Sequence, residues 1–317
     1  MNNKFKGIFK KELDDFVTYK KINGFSYESQ TCNLISFDEF TLKNNIENKK
    51  LTKDLIIKYI ESHKDITSRT KNTYASIFRE FAKYLNTQGF NSYVLPEKYY
   101  NSRYNFHPYI YSKSEIKKIF GAVKISYLRF VPKKQEQIRI ILLLLFKTGM
   151  RIGEVLTIKR SNINYDNNTI ILENTKNGTD RLVAIDNKLT KILYDFEIKY
   201  NSKYEYYFEN GNKKLYSVGC FNSIFRKHLY IAKIMHTKNG PRVHDIRHTF
   251  CVNSLKQAID NGADLNYFIP LLSAYVGHLD LDSTYKYLHL TVELFPKIRD
   301  KAKDIIDTNK EIHYEEL

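Results

Sequence analysis

The sequence has few of the features that mark exported or membrane-bound proteins. Its three cysteines, Cys32, Cys220 and Cys251, are far apart and form no CxxC pair, which argues against a disulfide framework and a cysteine-rich zinc site. The longest uninterrupted apolar run, residues 140–146, is far shorter than the ~20 residues needed to span a bilayer. Charges stand near the amino terminus where a signal peptide needs an apolar stretch. We therefore expect a cytoplasmic protein that does not bind membranes.

Positive charge is what the sequence has in excess. The 317 residues include 51 Lys and Arg against 35 Asp and Glu, a formal net charge of +16. An apolar content of 42% excludes a disordered chain. Such charge suits nucleic acid, because phosphates bound by Lys and Arg release counterions, although it also suits anionic membranes. Residues 101–300 hold 31 basic and 18 acidic residues, so most of the excess lies there.

The chain divides near residue 100. Apolar residues at three- and four-residue spacing predict helices over residues 13–19, 30–43, 52–63 and 68–88. Pro96, Pro108 and a run of tyrosines then interrupt the helical pattern. We predict a helical domain over residues 1–98, a linker over 99–109 and a second domain over 110–317.

The second domain combines helices with a short β-hairpin. Two β-rich runs, 169–173 and 181–185, flank Asn177-Gly178, a dipeptide typical of hairpin turns. Helices are predicted over residues 112–123, 135–147, 151–158, 189–200, 218–234, 244–259, 265–275, 283–288 and 295–307. The predicted fold is mainly α: an N-terminal helical domain, then an α+β domain with a small antiparallel sheet.

The first candidate site motif is TGMRIGEVL, in which Arg151 and Glu154 lie at i, i+3 after a buried helix and a glycine turn. A guanidinium in such a place needs a partner, and Glu154 could supply it. A purely structural Arg–Glu pair is the alternative. Lys176, at the tip of the predicted hairpin, could be functional or an ordinary solvated lysine.

The second motif is VHDIRHTF, where His244 and Arg247 share one face of a helix. An imidazole beside a guanidinium is favourable when an anion sits between them, and amides at a helix N-terminus attract that anion. The alternative is a metal site built from His244, Asp245 and His248. Asp245, however, points about 100° away from His244 on a helix, so these ligands do not converge.

The third motif is YVGHLDLDSTYKYLHL. His278 follows a glycine that ends one helix, and Tyr285 and Tyr287 lie on the next. Residues two apart on a helix project about 200° apart, so one tyrosine at most can face a given site. Either could equally be a core or surface aromatic.

Together these residue types suit phosphodiester chemistry. Two arginines can hold the non-bridging oxygens and neutralise charge in the transition state. A tyrosine hydroxyl can attack phosphorus and form a covalent intermediate. A lysine can protonate the leaving oxygen, and histidines can accept the tyrosine proton or hold the phosphate. Neither a metal nor a cofactor is then required.

In their order and spacing, these motifs resemble those of the tyrosine recombinase (phage integrase) family. The resemblance extends over essentially the whole chain and includes TGMRIGEVL, the KNGTDRLVAI hairpin, HDIRHTF, and VGH followed nine residues later by a tyrosine. It implies that Arg151 and Arg247 clamp the phosphate. It also implies that Lys176 is the general acid, His244 an assisting general base and His278 a phosphate ligand.

The resemblance further implies that Tyr287 is the nucleophile and forms a 3′-phosphotyrosyl bond, that Glu154 supports the site, and that Tyr285 has no catalytic role. The first domain is similar to the core-binding domain of the family, and the segment before Leu13 is too short for an arm-binding domain.

We therefore expect a simple, nucleoid-associated recombinase that binds a double-stranded core site of DNA and acts as a homotetramer on synapsed sites. A directionality or accessory factor is an optional further partner.

The helix predicted over residues 295–307 would dock onto a neighbouring protomer in that tetramer. Two alternatives remain from the sequence. A type IB topoisomerase uses the same residues but acts as a monomer and relaxes supercoils. A DNA-binding accessory protein could have kept the fold without the reaction, although the complete residue set argues against this.

Overall fold

A computed structural model of the chain describes residues 5–97, 99–100, 108–126, 130–173, 180–211, 215–237 and 240–295. The chain forms two units, Met1–Phe106 and His107–Leu317. The boundary between them falls inside the segment 99–109, where proline and tyrosine replace the helical pattern.

The N-terminal unit contains four helices: α1 (Lys10–Ile22), α2 (Glu28–Lys43), α3 (Lys53–Ser62) and α4 (Ser68–Thr87). Aromatic rings from all four helices fill its core. The ring of Phe37 lies edge-on to Tyr59 and Phe78, at centroid distances of 5.2 and 4.8 Å, and Phe16 packs against Phe81 at 5.2 Å. Offset and edge-to-face ring pairs of this kind add to the stabilisation from buried area.

The second unit contains eight helices and a small sheet within the described ranges. The helices are α5 (Lys113–Ile125), α6 (Pro132–Thr148), α7 (Ile152–Leu156), α8 (Asn187–Tyr200), α9 (Val218–Ile231), α10 (Val243–Asp260), α11 (Leu265–Val276) and α12 (Asp282–Leu294). Side chains cap several of them: Ser112 and Glu115 form a reciprocal capping box at α5, and Asp186 accepts from the Leu189 amide at α8.

The sheet has three short antiparallel strands in the order β1 (Ile163–Asn164), β2 (Thr169–Leu172) and β3 (Arg181–Ala184). Ile170 pairs with Val183 and Leu172 pairs with Arg181. Ile170 and Val183 are fully buried, so the sheet covers the core with one face. This register places Arg181 at the start of β3, at the end of the sheet nearest the functional residues.

Helix α6 is the centre of the second unit. It is apolar on nearly all sides, and Ile140, Leu142 and Leu144 are fully buried because α5, α8 and α10 surround it. The C-terminal end of α6 stops at Gly149, which adopts a left-handed conformation with φ 64°. Helix α10 packs against both α6 and α12, so it links this glycine to the C-terminal helices.

The predicted fold class is confirmed: the described chain is mostly helical with one small antiparallel sheet. Strand β1 was not predicted, because a strand of two residues is too short to show an alternation of apolar and polar residues. Helix α9 ends three residues before the predicted limit, because Lys233 takes a positive φ of 56°. Helix α12 extends six residues past the predicted end at Leu288, since Leu290 and Thr291 continue its buried face.

Some predictions fall outside the described residues. These are the hairpin tip with Lys176 and, beyond Phe295, the helix predicted over residues 295–307. In the part of the chain that the structure describes, no helix is long and apolar enough to cross a membrane.

Gly149→Ala is expected to lower the free energy of unfolding by about 2–4 kcal/mol, because a β-carbon there requires a left-handed φ and would lie 2.4 Å from the Phe250 ring. Gly262→Ala is the matched control: its φ is +71° with nothing within 4 Å, so only the conformational cost of about 1 kcal/mol applies. Urea denaturation of both variants measures the difference. Equal losses would contradict a packing role for Gly149.

Candidate active site

Three separate parts of the second unit bring the predicted site residues together. Arg151 follows the α6 glycine turn, His244 and Arg247 lie in the first turns of α10, and His278 and Tyr287 come from the α11–α12 region. The two arginines lie close enough to the other three side chains for their charges to act on His244, His278 and Tyr287. Lys176 lies outside the described residues.

Arg247 is almost completely buried, with 3% of its surface exposed. Its Nη1 donates to the carbonyl oxygen of Gly149 at 3.0 Å, while its buried Nη2 has no hydrogen-bond partner among the described residues. Burial and the nearby charge of Arg151 lower the pKa of Arg247 to about 10, so it remains charged at neutral pH. A buried cation with an unused donor is costly, and an anion bound beside it would remove that cost.

Arg151 is held on the other side of the same space. Its Nη2 donates to the carbonyl oxygen of Gly277 at 3.0 Å, and its Nη1 donates to Glu154 at 2.9 Å. The Glu154 carboxylate also accepts from the Arg151 backbone amide at 2.7 Å. Glu154 therefore holds both the side chain and the backbone of Arg151.

Arg181, at the start of β3, is the second partner of Glu154. Its Nη1 and Nη2 donate to the two carboxylate oxygens at 2.8 and 2.7 Å, a bidentate pair. Burial would raise the pKa of Glu154, but hydrogen bonds and charge from Arg181 and Arg151 outweigh burial and hold that pKa below its ordinary value. Glu154 thus stays ionised and joins the sheet to Arg151.

Gly277 ends α11 in a left-handed conformation with φ 69°. A β-carbon at this position would lie 2.8 Å from Nη1 of Arg181, so the close approach of the guanidinium requires glycine. The turn brings His278 directly after α11, where its backbone amide donates to Ser273.

His278 faces the nucleophile candidate. Its Nδ1 lies 2.8 Å from the hydroxyl of Thr284 on α12, and its ring is nearly parallel to the Tyr287 ring, at a centroid distance of 5.9 Å. Burial, together with the charges of Arg247 and Arg151, lowers the pKa of His278 to about 4. The imidazole is therefore neutral at physiological pH.

Tyr287 lies on the inner face of α12 and is 7% exposed. Its hydroxyl is 2.7 Å from Nδ1 of His248, a hydrogen bond between α12 and α10. Burial raises the pKa of the Tyr287 hydroxyl, while Arg247 and Arg151 oppose that shift. Tyr285, two residues earlier, is only partly buried and packs beside the C-terminal core instead.

His244 keeps an exposed edge one turn before His248, and the two rings meet edge to face at 4.8 Å. Packing around its imidazole and the adjacent Arg247 lower the pKa of His244. Asp245 is fully buried, and its carboxylate accepts a hydrogen bond from the Arg242 backbone amide at 2.7 Å. Asp245 therefore caps the N-terminus of α10. The described residues contain no group of three His, Cys, Asp or Glu side chains that could hold a metal ion.

Two residues in contact with the site were not predicted from the sequence: Arg181 and, except as part of the metal alternative, His248. A signal was present for each. His248 lies at i, i+4 from His244, so both occupy one face of α10. Arg181 is a charged residue at the beginning of an otherwise apolar β-rich run, where a basic side chain needs a partner.

The arrangement combines two cationic groups suited to an anion with a hydroxyl of the kind that can act as a nucleophile. Two guanidinium groups, one with an unpartnered buried donor, converge beside a tyrosine hydroxyl that contacts a neutral imidazole. The N-terminal turn of α10, whose amides favour an anion, is part of the same site. This arrangement can bind a phosphate group and direct an oxygen nucleophile toward it.

Comparisons with known proteins agree with this chemistry. Residues 111–293 match the model described as the phage integrase family. The tyrosine recombinase XerA of Thermococcus onnurineus is 25% identical over 253 residues, which are 78% of this chain and 86% of the relative. The tyrosine recombinase XerC of Staphylococcus saprophyticus is 27% identical over 237 residues, 70% of this chain and 71% of the relative.

Among solved structures, a post-cleavage complex of the XerH site-specific recombinase bound to its palindromic difH substrate has a similar fold. Its TM-score is 0.63 at 18% identity, and the match covers 86% of this chain and 77% of that protein.

Arg181→Met is expected to lower the free energy of unfolding by about 3 kcal/mol, because it removes one partner of a buried carboxylate whose side chain is 8% exposed. Adding Glu154→Gln should recover part of this loss, since the double variant no longer buries a carboxylate that has lost its bidentate partner. Urea denaturation measures each free energy. Lys191→Ala, which breaks a solvent-exposed pair with Asp195, is the control and should change stability by at most about 0.5 kcal/mol.

Stability should fall as the pH is lowered from about 6.5 towards 5. In the folded chain, the pKa values of His248 and His278 are lowered to about 3 and about 4, whereas unfolded histidines titrate near 6.5. Above pH 6.5 both histidines are neutral in the folded and in the unfolded chain. Between pH 6.5 and 5 they bind protons only in the unfolded chain, which lowers the free energy of unfolding by at most about 1.4 kcal/mol per pH unit for each histidine. Denaturation midpoints measured from pH 7.5 to 5 test this, and His278→Asn should flatten the slope. A stability that rises over this interval would contradict the lowered pKa values.

Proposed function

The chain belongs to the phage integrase family, and we propose that it is a site-specific tyrosine recombinase that cleaves and rejoins duplex DNA through a covalent intermediate. DNA cleavage and rejoining is the general activity of this family. The observation that carries the proposal is the position of Tyr287, whose hydroxyl lies beside two guanidinium groups. One of them has a buried donor that no described residue accepts from.

In the first step, the scissile phosphate occupies the space between Arg151 and Arg247. Its non-bridging oxygens accept hydrogen bonds from the guanidinium groups, including Nη2 of Arg247, and His278 holds the phosphate from the α11–α12 side. Because the guanidinium groups are preorganised by Glu154 and the glycine carbonyls, they stabilise the additional charge of the transition state without rearranging.

The hydroxyl oxygen of Tyr287 then attacks phosphorus. A bond forms between this oxygen and the 3′-phosphate, and the bond to the 5′-oxygen breaks. Lys176 protonates the departing 5′-oxygen, and His244 assists proton transfer on the nucleophile side. Rejoining reverses these steps, with a 5′-hydroxyl from the partner strand as the attacking group. Two such exchanges, through a Holliday junction in a homotetramer, recombine two sites.

The helical N-terminal unit would bind the core site together with the second unit. The excess positive charge supports this role, because each phosphate contact from Lys or Arg releases counterions. Residues 295–307 are proposed to dock onto the neighbouring protomer of the tetramer.

Tyr287→Phe should abolish a covalent protein–DNA adduct, because only the attacking oxygen is removed. The probe is a set of nicked duplexes tiled across the DNA that flanks the gene; a nick beside the scissile phosphate traps the adduct after a short strand diffuses away. Tyr285→Phe, on the same helix, is the matched control and should form adduct as wild type does. Denaturing gels resolve the adduct.

Tyr287→Phe should still bind these duplexes, and with the same salt dependence as wild type, since binding depends on the basic surface. Adduct formation by Tyr287→Phe would show that another residue is the nucleophile. If wild-type protein forms no adduct on any tiled duplex, the recombinase proposal fails. Exchange between two sites on linear DNA, rather than supercoil relaxation alone, distinguishes a recombinase from a topoisomerase.

A further inference from the structure

We propose that His248 is the group that takes the hydroxyl proton of Tyr287 during attack and returns it during rejoining. This inference rests on the proposed function, and it assigns a catalytic role that the sequence motifs give to His244. The distance of 2.7 Å between Nδ1 of His248 and the Tyr287 hydroxyl is within the range required of a general base.

The positions of the three histidines favour His248, rather than His244 or His278, as the group that takes the proton. Nδ1 of His278 is engaged by the Thr284 hydroxyl at 2.8 Å, and its ring lies nearly parallel to the Tyr287 ring, with an interplanar angle of 14°. The His244 ring meets His248 edge to face at 4.8 Å, but among the described residues the Tyr287 hydroxyl has its hydrogen bond with His248 and none with His244. His248 is therefore the histidine placed for direct proton transfer.

The protonation state of His248 also fits this role. Burial, followed by electrostatic repulsion from His244, Arg247, Arg242 and His278 whenever those groups are charged, lowers its pKa to about 3. The ring is consequently neutral at physiological pH, and it can accept at Nδ1 while its proton is on Nε2. A cationic ring would have no acceptor for the hydroxyl.

A bound phosphate would make this imidazole a stronger base. The low pKa of His248 has two causes, burial and nearby positive charge. A phosphodiester held by the arginines brings a negative charge that offsets the repulsion between Arg247 and a protonated His248. Basicity thus increases when substrate is in place, and the tyrosine remains protonated otherwise.

The step is balanced within the site. A lone pair of the Tyr287 hydroxyl oxygen forms the new bond to phosphorus, while the proton moves to Nδ1 of His248 and the O–H bonding pair stays on the oxygen. The bond from phosphorus to the 5′-oxygen breaks, and that oxygen receives a proton from the general acid. During rejoining, the phosphotyrosyl bond breaks and His248 returns its proton to the tyrosine oxygen.

The test separates a base from a residue that only positions the hydroxyl. His248→Asn places an amide oxygen close to the position of Nδ1; it can accept the hydrogen bond but cannot take the proton. His248→Ala removes both functions. Single-turnover rates of adduct formation are measured on the tiled nicked duplex that gives most adduct with wild type. We expect both variants to be slower by about 10²–10³-fold.

Replacing Tyr287 with 3-fluorotyrosine supplies a readout that a structural role would not change. The fluorophenol is more acidic, so it needs less help from a base. We expect it to restore part of the rate in His248→Asn and to give no comparable gain in wild type or in His244→Asn. Tyr285→Phe, as the control, should retain the wild-type rate.

A cleavage rate in His248→Asn within about threefold of wild type, or no rescue by fluorotyrosine, would overturn the assignment. Absence of adduct with wild type on every duplex would instead overturn the recombinase proposal, and the role of His248 with it. Nitrogen-15 NMR of the full chain without DNA gives an independent check. One histidine Nδ1, identified by its loss in His248→Asn, should be unprotonated at pH 7 and shift in Tyr287→Phe. A protonated Nδ1 would contradict the proposal.

Discussion

The second unit is organised by one electrostatic constraint, the placement of two like-charged guanidinium groups in a largely buried space. Each is held by the carbonyl of a left-handed glycine at the end of a helix: Arg247 by Gly149 and Arg151 by Gly277. Glu154 pairs with Arg151, and its carboxylate is shared with Arg181. The glycine carbonyls and Glu154, which offset the repulsion between the arginines, therefore lie outside the space between the two guanidinium groups. That space is available to an anion.

The same arrangement sets the properties of the neutral groups. Burial, with nearby positive charge, lowers the pKa values of His248 and His278, so each ring is neutral and has one nitrogen that can accept a hydrogen bond. Burial keeps the Tyr287 hydroxyl protonated. In the proposed reaction, a protonated hydroxyl is a weak nucleophile until an anion bound by the arginines changes the local field, so binding and activation would be coupled by charge.

Much of this could be predicted from the sequence, because helical period, proline and glycine are local signals. The apolar period gave α4 and α6, and the i, i+3 rule put His244 and Arg247 on one face of α10. Contacts between segments that are far apart in the sequence leave no periodic pattern of residues. The bidentate pair of Arg181 with Glu154 and the hydrogen bond of His248 to Tyr287 join residues 27 and 39 positions apart, and only tertiary packing creates them. For the same reason, β1 was missed: two residues pair because β2 is beside them.

Helix α12 carries more than the tyrosine. Thr284 on its first turn holds Nδ1 of His278, and Tyr287 one turn later contacts His248. A rigid shift of this helix by about one or two ångströms would break both hydrogen bonds at once, because both partners lie on the same helix. The positions of the Tyr287 hydroxyl and of the His278 ring are therefore coupled, and a contact that moves the C-terminal end of α12 would change both together.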